Sequence, residues 1–252
     1  MKKISLSIIG TLLLSSSAIA AGWGTIKGSI VLDGDIPEEP VLLHKKGRIS
    51  RTARSLCAAT DVYNDDLVVN KDNKGIANVF VYLKKAPKDI HPDVKTPEPS
   101  VIFDQKNCIF KPHVLVVQAG QTVEVLNSDP IAHNTHTTPV RGQAVNILVA
   151  PNTAAGSGVP IETKVRETLP HPVVCDFHAW MKAHWLVVDH PYAAATDADG
   201  NFTIPNLPVG EHEFTIWHER CGYVERSYKV KVAAGDNPVM KLSVPLSKLE
   251  EK

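Results

Sequence analysis

Three residues with metal-binding side chains follow one another at a spacing of three in the second half of the chain. Cys175, His178 and Met181 form a C-x2-H-x2-M pattern, and a further imidazole, His133, lies 42 residues upstream. Thiolate and thioether groups suit Cu(I), imidazole suits both oxidation states, and two His with one Cys and a weak axial Met make a blue-copper electron-transfer site. The residues therefore predict one type 1 copper ion held by His133, Cys175, His178 and Met181.

The same residues are compatible with three alternatives. Cys175 would also fit one half of a disulfide, with His178 as a surface residue, and Met181 would also fit core packing. A sandwich with vestigial ligands would bind no metal. A zinc site, or a copper site with bound hydroxide, would use four donors: His133, His136, Cys175 and His178.

The elements that must position these residues are predicted to be short β-strands. Eighteen Pro and fifteen Gly against three Met favour turns and strands over long helices, and no window has helical periodicity. Such a pattern predicts an all-β fold with a β-sandwich. The central strand candidates are Val101–Asp104, His113–Val117, Thr122–Leu126, Ala144–Val149, Thr163–Glu167, Pro172–Cys175 and Trp185–Asp189.

Residues 99–190 resemble a cupredoxin with the amicyanin-type ligand spacing. The matching motifs are, in order, Phe110-x-Pro112, Ala119-Gly120-Gln121-Thr122-Val123 followed by Asn127, His133-Asn134, and the C-x2-H-x2-M pattern. The resemblance implies a Greek-key β-sandwich with copper bound by His133, Cys175, His178 and Met181. It also implies that Asn134 steadies the ligand loop by hydrogen bonding.

The sequence departs from the cupredoxin pattern at three places. The family usually has Pro directly before the second His, where this chain has Phe177, and Asp176 puts an anionic side chain next to the thiolate. Extra imidazoles that would compete as ligands are His136, His171 and His184.

A second domain is predicted at residues 191–248. The run from Thr196 to His212, TDADGNFTIPNLPVGEH, resembles the carboxypeptidase regulatory-like domain, a small β-sandwich of the immunoglobulin or transthyretin type. About 55 residues make a small core, and segments 24–31 and 77–83, within the N-terminal β region 21–98, resemble its missing first strands. We therefore hypothesise a cupredoxin inserted into a split sandwich; the alternative is an N-terminal extension of the cupredoxin sheet.

The N-terminus predicts export. A positive start at Lys2 and Lys3, an apolar run over 4–14 and the Ala18-Ile19-Ala20 signal are typical of a secretory signal peptide, residues 1–20, cleaved after Ala20. No other stretch is long and apolar enough for a membrane span. We expect a periplasmic or secreted protein, in which disulfides are permitted.

Four cysteines then require an assignment. If Cys175 binds copper, the disulfide that we favour joins Cys57 and Cys108, since both lie in loop-like stretches that it would tie to the domain. Cys221 would then be left over, or would replace one of the two in the disulfide.

The composition favours a carrier of electrons over a nucleic-acid binder. Lys+Arg and Asp+Glu both number 27, whereas phosphate binding needs a basic surplus.

We expect no enzyme, since Val174 and Asp176 flank Cys175 where oxidases and nitrite reductases have a His that leads to a second copper. Redox proteins would dock transiently at a patch of Ala179 and Trp180. Two alternatives remain: a non-redox scaffold or binding module, and a periplasmic copper-binding or delivery protein.

Overall fold

The structure is a computed structural model that describes residues 22–37, 42–44, 57, 61–95 and 97–250. The predicted signal peptide lies outside the described residues. Within them the fold is all-β with several sheets, as predicted, and the two helices have four residues each. No helix in this part of the chain is long and apolar enough to cross a membrane.

The elements of the described residues are short and follow one another closely. The helices are α1 (Pro92–Lys95) and α2 (Leu246–Leu249). The strands are β1 (Trp23–Asp33), β2 (Leu42–His44), β3 (Val62–Tyr63), β4 (Phe80–Leu83), β5 (Ser100–Lys106), β6 (Ile109–Lys111), β7 (Val114–Gln118), β8 (Thr122–Val125), β9 (His133–Thr137), β10 (Val145–Val149), β11 (Val159–Glu162), β12 (His171–Val174), β13 (Lys182–Val188), β14 (Ala193–Ala195), β15 (Asn201–Pro208), β16 (Gly210–His218), β17 (Gly222–Val232), β18 (Gly235–Asp236) and β19 (Met240–Pro245).

Two sheets formed by residues 100–188 make the central sandwich. One sheet has the order β10-β9-β12-β13-β7 and the other the order β11-β8-β5-β6. Alternate residues of each strand point to opposite faces, so Ala183, Trp185 and Val187 of β13 enter the core between the sheets. The ring of Trp185 packs edge-to-face with that of Phe103 from the facing sheet, at a centroid distance of 4.9 Å. This packing fixes the strand ends from which the predicted ligands project.

Strands from both ends of the chain make the second pair of sheets. β1 pairs with β15 antiparallel and with β18 and β19 in parallel, while β4 lies between β14 and β16. The split-sandwich hypothesis predicts pairings of this kind. The limits of the two domains stay a prediction.

β4 is buried on both faces, which explains its uninterrupted apolar sequence. Val81 and Leu83 enter the core of the second pair of sheets, whereas Phe80 and Tyr82 face the central sandwich. The apolar group between the two units, here called the interface cluster, consists of Phe80, Tyr82, Val114, Leu186, Val188 and Trp217. It joins β4 and β16 to β7 and β13.

One predicted strand is wrong. The segment Thr163–Glu167 is not a strand, because β11 ends at Glu162, opposite Thr122, the first residue of its partner β8. The Glu167 carboxylate instead accepts hydrogen bonds from the N–H groups of Arg141 and Gly142. The segment therefore anchors a neighbouring loop and adds no strand to the sheet.

Candidate metal centre

The loop between β12 and β13 folds Cys175, His178 and Met181 onto one position. Two successive turns close through hydrogen bonds from His178 N–H to Cys175 O (3.2 Å) and from Met181 N–H to His178 O (2.8 Å). Cys175 N–H donates back to Met181 O at 3.2 Å. The spacing of three thus equals one turn, and all three side chains are buried, with 1%, 6% and 1% exposure in that order.

His133 enters the same position from the neighbouring strand. It is the first residue of β9, opposite Val149 of β10, and its side chain is fully buried. Its Nε2 lies 2.9 Å from Asp129 Oδ2, and that carboxylate accepts the backbone N–H groups of Asn107 and Cys108. The Asp129 contact fixes the ring so that Nδ1 faces the loop, 3.0 Å from His178 Nδ1.

One sulfur and two ring nitrogens therefore meet in a buried space. The donor atoms of His133, Cys175 and His178, here called the thiolate cluster, all lie within 4.8 Å of one another. Cys175 Sγ is 3.6 Å from His178 Nδ1. Burial alone would raise the pKa of the Cys175 thiol, but hydrogen bonds from the two imidazoles and from backbone N–H groups of Asn134 and Phe177 lower it to about 6. The cluster favours a thiolate at neutral pH.

Asn134 hydrogen-bonds strand β9 to the loop that carries Cys175. Its Oδ1 accepts the N–H of Asp176 at 2.7 Å and lies 3.3 Å from Cys175 Sγ. Its Nδ2 donates to Asp176 Oδ2 at 2.9 Å. That carboxylate also accepts from Asn146 and contacts His136 Nδ1 at 3.0 Å, and these hydrogen bonds lower the pKa of Asp176. The anion beside the thiolate is thus stabilised by partners on β9 and β10.

The donor set fits a soft or borderline transition metal. A thiolate with two imidazoles suits copper and zinc, whereas calcium and magnesium prefer oxygen ligands. Met181 has its backbone in the same loop and its side chain in the core, which is compatible with either an axial ligand or core packing. The group that the described residues offer here contains none of the extra imidazoles His136, His171 and His184.

The other predicted residues are also placed near the centre. Cys57 and Cys108 form a disulfide with their Cα atoms 5.5 Å apart. Trp180 is half-buried, donates its indole N–H to Cys108 O, and has its ring 5.0 Å from that of His178. Ala179 is exposed, and so is Phe177, at 59%. The exposed aromatic ring next to His178 is therefore that of Phe177, which the predicted patch did not include.

Comparison with known proteins finds likeness at the level of solved structures. No protein-family profile and no curated protein matches the chain. A reduced amicyanin variant aligns with 37% of this chain and 86% of its own at 16% identity and a TM-score of 0.31. A purple cupredoxin from Nitrosopumilus maritimus aligns with 36% of this chain and 99% of its own at 19% identity and a TM-score of 0.28.

A larger copper protein also appears among these structures. The copper-containing nitrite reductase of Thermus scotoductus aligns with 36% of this chain at 21% identity and a TM-score of 0.31. This chain spans only 23% of that enzyme's length. These solved structures are cupredoxins or contain such a unit.

Proposed function

We propose that the chain is an exported type 1 copper protein that carries single electrons between redox partners. One observation carries the proposal: the thiolate of Cys175 and the Nδ1 atoms of His133 and His178 converge in a buried position within a packed β-sandwich. Met181 is the proposed fourth, axial ligand. A copper ion bound there would supply reversible one-electron oxidation and reduction.

The residues around the cluster support fast electron exchange because they restrict its movement. Asp129 holds the His133 ring, and Asn134 contacts Cys175 Sγ and accepts the N–H of Asp176. Such outer partners orient metal ligands and tune their basicity. A donor set that is already in place needs little rearrangement when an electron is gained or lost, and burial keeps water away from the sulfur.

The surface beside His178 is the proposed docking site for partners. His178 is the most exposed of the three thiolate-cluster residues, at 6%, and Phe177 and Ala179 are exposed on either side of it. Trp180, with its ring against His178, completes the patch. Redox complexes have small interfaces that form and dissociate quickly, and a near-neutral chain with a small apolar patch suits such docking.

We extend the proposal to organisation and location. Residues 1–20 would direct export to the periplasm or the medium, 99–190 would form the cupredoxin, and 191–248 with strands from 21–98 would form the carboxypeptidase regulatory-like sandwich. The strand pairings between β1, β4 and the C-terminal strands support the last point. We propose a carrier and no enzyme, since Val174 and Asp176 beside Cys175 offer no imidazole that would lead to a second copper.

Absorption spectroscopy and voltammetry test the proposal directly. The mature protein with one equivalent of Cu(II) should be intensely blue and should give a reversible one-electron wave. Cys175→Ser should be colourless, whereas the matched variant Cys221→Ser should keep the colour. A colourless wild type with bound copper would refute the blue site. Rapid Cu(I) exchange without a wave would favour copper delivery, and partner binding unaffected by Cys175→Ser would favour a scaffold.

A second substitution tests the axial ligand. Met181→Leu should keep the blue colour but shift the reduction potential, because the axial ligand tunes the potential of a blue-copper site. Met240→Leu, in β19, is the matched control and should leave the potential unchanged. An unchanged potential in Met181→Leu would assign Met181 to core packing.

A further inference from the structure

A second group of histidines lies on the outer face of the sheet that carries the ligand loop. His184 of β13 points away from the sandwich core, on the same side as Leu186 of the interface cluster. His113 precedes β7, the strand next to β13, and its carbonyl accepts the His184 N–H at 2.9 Å. Glu219 enters from the turn between β16 and β17, and Asp65 enters from the segment that follows β3.

The side chains of this group converge closely. The donor atoms of His113, His184 and Glu219, here called the carboxylate cluster, all lie within 4.8 Å of one another. One Glu219 oxygen contacts His113 Nε2, and the other lies 3.7 Å from His184 Nδ1. The three side chains are 8%, 14% and 10% exposed in that order. Asp65 Oδ2 approaches the other nitrogen of His113, Nδ1, at 3.2 Å.

Two nitrogens of the cluster are buried without a hydrogen bond. His184 Nδ1 has no partner, and His113 Nδ1 makes no hydrogen bond of acceptable geometry despite the nearby Asp65 oxygen. Buried polar atoms are normally satisfied, so each orphan requires an explanation such as an absent ion or water. The unpaired nitrogen of His184 faces a carboxylate oxygen across 3.7 Å, a gap that an ion bound to both atoms would bridge.

We propose that His113, His184 and Glu219 form a second metal site, which binds a divalent transition-metal ion, Zn²⁺ or Cu²⁺. Two imidazoles with one carboxylate are a donor set suited to these ions, and three protein ligands leave a position for water. Asp65 serves as the outer carboxylate that orients the His113 ring, the usual partner of a metal-bound imidazole. The site contains no thiolate, so Cu(I) is not its preferred ion.

The ion would join the two halves of the molecule. His113 and His184 belong to the central sandwich, whereas Glu219 belongs to the β16–β17 turn of the second pair of sheets. The ring of Trp217, in the interface cluster, lies 5.2 Å from that of His184. The metal would therefore fasten the edge of an apolar contact that already exists, and it would hold the second sandwich against the sheet that carries the thiolate cluster.

Zinc titration of a chain without the thiolate cluster tests the proposal independently of the blue site. In the mature His133→Ala, Cys175→Ser protein, calorimetry should show one Zn²⁺ ion bound and melting should show a raised Tm. His184→Ala and Glu219→Gln, each added to this protein, should weaken zinc binding more than about tenfold and abolish the Tm increase. The matched variant His212→Ala, whose imidazole contacts Pro208 O outside the cluster, should change neither.

A parallel titration with Cu²⁺ identifies the ion that the site prefers. Copper bound by imidazole and carboxylate should give an electron paramagnetic resonance signal that is lost in His184→Ala, without a strong blue band. Circular dichroism in chelator confirms that each variant is folded. No binding of either ion by the parent protein, or binding unchanged in both cluster variants, would overturn the proposal. Loss of blue colour in Cys175→Ser with zinc binding retained would separate the two sites.

Discussion

The thiolate cluster and the carboxylate cluster both depend on the β10-β9-β12-β13-β7 sheet, yet they are held in different ways. The thiolate cluster is supported within one sandwich, where Asp129 holds the His133 ring and Asn134 holds the loop next to Cys175 by hydrogen bonds. The carboxylate cluster takes its residues from two units, and their separation is fixed by the apolar packing of the interface cluster. Local hydrogen bonds fix the first group, and apolar packing between sheets fixes the second.

The two clusters also differ in charge. In the thiolate cluster, hydrogen bonds outweigh burial and lower the pKa of Cys175 to about 6. In the carboxylate cluster, burial alone would lower the pKa of His113, but Asp65 and Glu219 raise it to about 10. Metal binding to His113 must therefore displace a proton. The thiolate cluster thus favours an anionic Cys175 that attracts a cation, whereas the two carboxylates beside His113 favour its protonated form.

Shortening a side chain of the interface cluster should produce the largest difference between the thiolate cluster and the carboxylate cluster. Leu186 is fully buried in the interface cluster, so Leu186→Ala should lower the free energy of unfolding by about 2–5 kcal/mol. Zinc binding at the carboxylate cluster should weaken while the blue colour of the copper-loaded protein is retained. Chemical denaturation and calorimetry measure both. Leu148→Ala, at a 63% exposed position, is the control and should cost less than about 0.5 kcal/mol.

Removal of the disulfide should have the opposite selectivity. Cys57 and Cys108 are 51 residues apart, and opening a loop of this size should cost about 2–4 kcal/mol. Cys108 also supplies an N–H to Asp129 and a carbonyl to Trp180, so Cys57→Ser with Cys108→Ser should weaken copper binding more than zinc binding. Cys221→Ser, at a cysteine outside the disulfide, is the control for the Cys→Ser substitution itself. Equal losses at both clusters would contradict local support of the thiolate cluster.

The sequence was informative where residues that act together are close along the chain. The C-x2-H-x2-M spacing predicts one loop because each turn closes after three residues, and the structure closes these turns by backbone hydrogen bonds. The alternating and uninterrupted apolar runs of β1 and β4 predicted their strands, and motif resemblance suggested that both join C-terminal strands. Asn134 was identified because it adjoins His133.

The missed residues are those that only tertiary contact brings together. Asp129 lies four residues before His133, but nothing in the sequence separates it from other turn aspartates, since its role depends on a turn held by Asn107 and Cys108. The three residues of the carboxylate cluster and the neighbouring Asp65 come from four separate segments of the chain. No spacing along the sequence indicates that these distant residues lie together. The sequence therefore predicts His184 only as a competing ligand at the thiolate cluster.

Loss of the Asp129 carboxylate tests whether a single hydrogen bond to His133 supports the thiolate cluster. Asp129→Asn should weaken copper binding by about 10–100-fold, because an outer carboxylate fixes the ring orientation and raises the basicity of the ligand. Asp104→Asn removes a carboxylate that bonds Ser128 in the same turn without touching His133 and should have little effect. Competition titration with a copper chelator measures both. Equal copper affinities of the two variants would show that Asp129 does not support the site.

His171 provides a buried imidazole without a carboxylate or thiolate hydrogen-bonded to its ring. It is 4% exposed, packs against Trp185 and has no hydrogen-bond partner for Nδ1. Burial lowers its pKa to about 4, although the charge of nearby Glu167 acts in the opposite direction. The unfolded chain binds a proton to this residue near pH 6.5, whereas the folded protein does not. The contribution of neutral His171 to the free energy of unfolding is therefore fully present above pH 6.5 and is lost as the pH falls towards 4.

The difference between wild type and His171→Phe isolates this contribution. In the metal-free wild type, His171 should add a slope of up to about 1.4 kcal/mol per pH unit to the free energy of unfolding between about pH 6.5 and 4. Phe keeps the ring volume against Trp185 and cannot bind a proton, so the variant should lose that part of the slope. Urea denaturation at about pH 7, 6 and 5 measures it. Identical slopes would mean that the buried ring is charged in the folded protein, and therefore that Glu167 stabilises a cation here as Asp65 and Glu219 do at His113.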